Sequence, residues 1–188
     1  MSRRGILLVI SGPSGVGKSS VVNALAERVP FHFSVSWTTR ERRPGERDGV
    51  DYVFVDRARF LENIESGGFL EWAEYSGHLY GTPRDAVLAQ LDAGRHVLLD
   101  IENDGAGQVK QSYPEALLVF VLPPSLAELE RRLRNRGDTS EADVELRLGV
   151  AAEQMAEATW KFDHTVVNDQ VDVVADEIVS ILKAAGGS

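Results

Sequence analysis

Residues 6–20 read Ile-Leu-Leu-Val-Ile-Ser-Gly-Pro-Ser-Gly-Val-Gly-Lys-Ser-Ser. The unbroken apolar run Ile6–Ser11 predicts a strand buried on both faces, as in a parallel sheet covered by helices. It runs straight into Gly12–Ser19, which satisfies the spacing G-x-x-x-x-G-K-[ST] and opens a predicted helix over Lys18–Val29. In that spacing the glycines let backbone N–H groups curl around phosphates, Lys18 reaches the β- and γ-oxygens, and the Ser19 hydroxyl ligates Mg²⁺. A glycine-rich turn without a ligand is the plainer alternative. A chance match in a chain of this length is on the order of 1%, and the strand-to-helix context is the one the motif needs.

The same rhythm continues outward. Strands are predicted at His96–Asp100, Leu117–Leu122 and His164–Asn168, with helices over Gly105–Tyr113, from Ser125, and over Val171–Ala184. Apolar strands separated by helices predict an α/β fold with a doubly wound parallel-sheet core. Two segments break the pattern. Residues 33–82 carry short alternating runs (Phe33–Ser36, Asp51–Val55, Phe69–Tyr75) and one helix over Arg57–Ser66, which predicts a small antiparallel unit inserted into the core. Residues 132–147 are dense in charge and broken at Gly137. Ser125 and Glu128 form a capping-box pattern, and Ser140 starts a second helix, so helix, break, helix predicts a lid. The expected division is a core of 1–32, 83–124 and 160–188, an insertion 33–82 and a lid region 125–159.

Of the 188 residues, 20 are Lys or Arg and 29 Asp or Glu, a net charge of −9. That sign argues against nucleic-acid or anionic-membrane partners. The absence of cysteine excludes disulfides, thiolate metal sites and a cysteine nucleophile. No apolar run has the length of a signal-peptide core or a membrane span, so a cytoplasmic location is expected.

Against the acidic background the basic clusters stand out. Arg40 and Arg43, in Ser34–Arg43 (SVSWTTRERR), offer planar forks suited to a phosphate, and the Tyr52 hydroxyl can add a hydrogen bond. A solvated basic loop is the alternative. Asp100 ends a predicted strand at its carboxyl edge, where open α/β sheets bind ligands, and could orient a magnesium-bound water or a substrate, or merely cap the next helix. Glu128–Arg132 and Glu130–Arg134 are spaced to pair along a helix.

These stretches, together with GPSGVGKSS, RPGE, DYVFV, FLEWAEYSGHLYGT, LLDIE, FVLPPS, RRLRNRG and VVND, resemble the guanylate kinase family over nearly the whole chain. The resemblance implies ATP-dependent phosphorylation of GMP, and of dGMP, with Mg²⁺, on a P-loop kinase core carrying a GMP-binding insertion and a helical lid. It implies a GMP site of Ser36, Arg40, Arg43, Tyr52, Glu71, Tyr80, Thr82 and Asp100. Glu102 stands where the family usually has a second aspartate. Arg132, Arg136 and Arg147 fall at the arginines around the ATP phosphates, and Asn168 where the family approaches adenine. Lys18, Arg40, Asp100, Arg136 and Arg147 are the residues expected to act on the reacting phosphates, and Gly12–Ser20 the ATP cradle. Asp104, where the family commonly has glutamine, and the bulky Trp37 are departures. Two other readings share these motifs in part: a phosphopeptide-binding module that has lost catalysis, and a kinase of another small phosphate ester. On residue chemistry alone, the GMP phosphate is already anionic near neutral pH because its second ionisation lies near ~6, so no catalytic base is needed. Glu71 reads on pattern equally well as a solvent-facing strand residue; the resemblance assigns it to guanine.

Overall fold

The computed structural model describes residues 4–135 and 140–186. Along the chain run β1 (Leu7–Ser11), α1 (Lys18–Arg28), β2 (Phe31–Phe33), β3 (Trp37–Thr38), β4 (Val53–Phe54), α2 (Arg57–Glu65), β5 (Phe69–Tyr75) and β6 (His78–Pro83). There follow α3 (Arg84–Asp92), β7 (His96–Asp100), α4 (Asn103–Ser112), β8 (Leu117–Leu122), α5 (Leu126–Asn135), α6 (Glu141–Lys161), β9 (His164–Val167) and α7 (Val171–Gly186). The strands form a five-stranded parallel sheet, order β2-β7-β1-β8-β9, and a four-stranded mixed sheet, order β4-β3-β6-β5. The chain divides into two compact units. One holds residues 8–30, 100–103 and the described residues from 117 onward; the other holds the described residues up to 7 with 31–99 and 104–116.

In the first unit, β8 pairs in parallel with both β1 (Leu8 opposite Leu117) and β9 (Val119 opposite His164). Leu8, Val9, Ile10 and Leu118–Val121 are all buried, and each such side chain contributes roughly 1.5–3 kcal/mol of apolar burial. α1, with Val21, Val22 and Leu25 buried, packs against α7, whose Val174, Ala175 and Ile178 are buried. Arg28 ties the same two helices, bonding Asp176 at 2.7 Å and Asp172 at 2.8 Å. The Ser125 hydroxyl accepts from the Glu128 N–H and the Ser140 hydroxyl from the Asp143 N–H, so both expected helix starts are present. The expected break at Gly137 lies outside the described residues.

In the second unit the insertion departs from expectation. Phe33–Ser36 does not form one strand: Phe31–Phe33 joins β7 in parallel (His32 opposite Val97), and a separate pair, Trp37–Thr38, enters the small sheet. Strand membership here follows the available partner, which alternation cannot identify. The small sheet is mixed, not antiparallel throughout, because β3 and β4 run parallel over Trp37–Val53 and Thr38–Phe54. Neither β6 nor α3 is anticipated by the sequence pattern. β6 follows β5 through Ser76-Gly77, whose φ of 51° and 79° suit a tight hairpin turn with both central residues left-handed. Phe60, Phe69 and Leu79 form a small core. Trp37 sets its ring edge-on to Phe69 at 5.5 Å beneath Arg59, so its bulk serves packing.

Candidate functional site

The loop between β1 and α1 is shaped by what surrounds its glycines. A Cβ at Gly12 would lie 2.6 Å from the Val121 carbonyl oxygen, so only glycine passes there. Gly17 caps α1 at φ 97°, and a Cβ there would lie 2.7 Å from Asn168 Nδ2. α1 has no side-chain cap at this end, where the helix dipole favours an anion.

Lys18 Nζ donates to the Gly12 carbonyl at 2.9 Å and stands 4.0 Å from Asp100 Oδ1. Burial raises the Asp100 carboxyl above its usual range; Lys18 opposes the shift and Glu102 adds to it. Pro13, Ser14, Gly15, Gly17, Lys18, Ser19, Ser20, Asp100 and Glu102 line one cavity of about 380 Å³. Cation and carboxylates thus line one cavity, where the ammonium can face an anion and the carboxylates a cation.

Behind the loop, Asn168 is 3% exposed, its Nδ2 donates to the Val16 carbonyl at 2.8 Å, and its Oδ1 is a buried acceptor with no partner. Arg132 is committed to protein on three sides: Nε to Glu128 at 2.9 Å, Nη1 to the Val16 carbonyl and Nη2 to the Asn168 carbonyl, both at 3.1 Å. The pairs expected from spacing, Glu128–Arg132 and Glu130–Arg134, both form. Arg131 and Arg132 hold the Glu128 carboxyl down at about 2. Arg147 is exposed on α6 and is not among the residues lining the cavity. Arg136 lies outside the described residues.

The second unit gathers another set. Arg40 presents its fork to Glu46, Nη2 to Oε1 at 2.7 Å and Nη1 to Oε2 at 3.1 Å, while the Arg43 N–H donates to the same carboxylate at 2.8 Å. Its guanidinium lies over the rings of Tyr52 and Phe54, at 5.6 and 5.8 Å, and Tyr80 meets Tyr52 at 6.0 Å. Arg40 and, less strongly, the Arg43 backbone hold the Glu46 carboxyl below its usual range. Arg43 is itself exposed, and the Ser36 carbonyl accepts from the Val53 N–H, anchoring the start of the loop to β4.

Glu71 is directly opposite Thr82 across β5 and β6, and the Thr82 hydroxyl donates to its Oε1 at 2.6 Å. At 9% exposure Glu71 is buried, not the solvent-facing residue that alternation equally allowed. Burial raises its carboxyl above the usual range, with Thr82 opposing the shift. Glu46, Gln108 and the Asn103 carboxamide bonded to Ser11 at 2.9 Å were given no role by sequence reasoning. Glu46 had a signal, its place in the RPGE stretch; the other two had none, since both bonds span long sequence separations.

A profile of the guanylate kinase family matches residues 4–185. A guanylate kinase of Synechococcus sp. is 49% identical over 180 residues, 95% of this chain and 82% of its own length. One of Rubrobacter xylanophilus is 48% identical over 188 residues, covering 98% of each. The crystal structure of guanylate kinase from Anaplasma phagocytophilum superposes with a TM-score of 0.73 at 36% identity, covering 100% of this chain and 89% of that one.

Proposed function

Since the chain belongs to the guanylate kinase family and phosphorylates GMP, we propose that its two sets of site residues divide ATP and GMP between them. The backbone of Gly12–Ser20 cradles the ATP phosphates. Lys18 sits at the β- and γ-oxygens, and the unpartnered Asn168 Oδ1 is an acceptor for the adenine amino group. Arg132, Arg136 and Arg147 belong to the lid region 125–159, with Arg136 and Arg147 the arginines that add charge around the γ-phosphate. Arg132 braces Val16 and Asn168 from behind.

On the acceptor side, Arg40, Arg43, Tyr52 and Tyr80 hold the GMP phosphate within the insertion 33–82, while Glu71, Thr82 and Ser36 read the base. Guanine offers two adjacent donors, N1–H and the 2-amino group, to one carboxylate, and its O6 accepts from a hydroxyl. Adenine has neither donor, so AMP would leave Glu71 desolvated and unpaired, a costly outcome. Asp100 and Glu102 are assigned to GMP as well.

Ser19 with Asp100 and Glu102 supplies oxygen atoms around one cavity, which fits Mg²⁺, an ion that takes few protein ligands and shares the rest with phosphate and water. Bound there, Mg²⁺ would neutralise phosphate charge. In the transfer, a GMP phosphate oxygen forms a bond to the γ-phosphorus as the bond to the β,γ-bridging oxygen breaks and ADP leaves. The chain's own residues align the two and balance the charge that spreads over the oxygens. dGMP is a second acceptor, the workplace is the cytoplasm, where ATP and GMP are both present, and neither nucleic acid nor membrane is a partner. No helix among the described residues is long and apolar enough to cross a membrane.

The observation that carries the base assignment is the buried Glu71 with the Thr82 hydroxyl on it. Coupled ADP release with GMP, dGMP, IMP, AMP and ribose phosphate tests it. GMP and dGMP should turn over well and AMP at least ~10³-fold more slowly, short of the ~10⁴–10⁵ that the best sites built on such donors achieve. Equal use of AMP and GMP would refute it.

A further inference from the structure

β5 is an edge strand of the small sheet: β6 pairs with one side, and the other has no strand neighbour among the described residues. An open edge leaves N–H and C=O groups without a ladder. Here α4 supplies the missing partners. The Gln108 carboxamide takes both groups of one residue, Oε1 accepting from the Trp72 N–H at 3.1 Å and Nε2 donating to the Trp72 carbonyl at 3.0 Å. This two-bond exchange is what a paired strand would offer. One helical turn on, the Ser112 hydroxyl donates to the Leu70 carbonyl at 2.8 Å. The spacing i, i+4 puts Gln108 and Ser112 on one face of α4.

The two clamped residues, Leu70 and Trp72, flank Glu71. The register of β5 shifts between Phe69 and Glu71, so the ladder with β6 is irregular just where the carboxylate must be aimed. A bulge leaves a strand locally less constrained by its neighbour, and the α4 side chains restrain it from the opposite edge. We propose that Gln108, supported by Ser112, is a positioning residue for the base-reading carboxylate of Glu71. The inference rests on the assignment of Glu71 to guanine. Gln108 acts on the main chain either side of Glu71 and sets where its two oxygens fall relative to N1–H and the 2-amino group.

The test uses the whole enzyme and the variants Gln108→Met, which keeps length and packing, Ser112→Ala and Glu71→Gln. Steady-state constants are measured for ATP, GMP and IMP, which lacks the 2-amino group. Gln108→Met should raise the GMP KM about tenfold, in line with the cost of sub-ångström misplacement in a preorganised site. The ATP KM should stay within twofold, and the preference for GMP over IMP should fall several-fold. Ser112→Ala should shift the same quantities less. In a Glu71→Gln background, Gln108→Met should change the GMP KM no further, because the group it aims is gone. A Gln108→Met enzyme that melts like the wild type yet keeps its GMP KM and GMP-to-IMP preference overturns the proposal. So does an undiminished effect in the Glu71→Gln background. Failure of the underlying guanine assignment reads differently: Glu71→Gln alone would leave the GMP KM unchanged. Melting curves accompany each variant, and if Gln108→Met does not fold, Ser112→Ala carries the same comparison.

Discussion

The Thr82 hydroxyl donates to Glu71 Oε1 at 2.6 Å, across a strand pairing that sets the two residues directly opposite each other. Burial penalises the charge of this carboxylate more than the Thr82 hydroxyl and main chain offset, so the charge is incompletely compensated.

From this follows a stability cost with a definite sign. Burial raises the folded-state pKa of Glu71 above its unfolded value, so the folded protein holds this proton more tightly. The stabilising contribution is fully present below the unfolded pKa and is lost as pH rises through the folded pKa. Glu71→Gln should therefore raise the melting temperature of the ligand-free protein at pH 7–8, with the gain vanishing as pH falls below the ordinary glutamate range. The same variant should lose most GMP activity with little change in ATP affinity. Calorimetric melts across pH, with kinetics alongside, check both.

Lys18→Met should lower turnover by at least ~10²–10³-fold, the typical loss for one preorganised transition-state donor, while the fold survives. Lys18 is not core: its ammonium spans the Gly12 carbonyl and Asp100. Losing it also removes the charge that opposes the upward shift of the Asp100 carboxyl, so the acid limb of any residual pH–rate profile should move to higher pH. Coupled ADP release and circular-dichroism melts distinguish loss of chemistry from unfolding.

Arg40→Met and Arg43→Met should each weaken acceptor binding by roughly 1.5–3 kcal/mol, the worth of a charge-assisted contact, with the ATP KM unchanged. Arg40→Met should also lower the melting temperature, because Arg40 pairs Glu46 and covers Tyr52 and Phe54. Arg43→Met should not, its side chain being exposed. Separate Michaelis constants and thermal melts for the two variants provide the comparison.

Gly17→Ala should both destabilise the fold and weaken ATP binding. The left-handed backbone costs an L-residue about 1–2 kcal/mol, and the new methyl would fall 2.7 Å from Asn168 Nδ2, displacing the side chain bonded to the Val16 carbonyl. Denaturant unfolding and nucleotide titration by fluorescence measure the two effects independently.

Much of the site was legible because its determinants are local. Ile6–Ser20 needs only an apolar run, three glycines and Lys-Ser to declare a strand, a phosphate loop and a helix, and Ser125 and Ser140 mark helix starts through bonds three residues away. Backbone conformation, helix capping and apolar periodicity act between near neighbours, so sequence alone carries them. Other features waited for the tertiary structure. Phe31–Phe33 became a strand of the larger sheet because β7 lay alongside; Glu71 faced inward although alternation allowed either face; Trp37 packed against the small core; Gln108 reached Trp72 across 36 positions. In each of these the energy comes from a partner distant in the chain, and which partner is met depends on how the whole fold brings its elements together, not on the residues on either side.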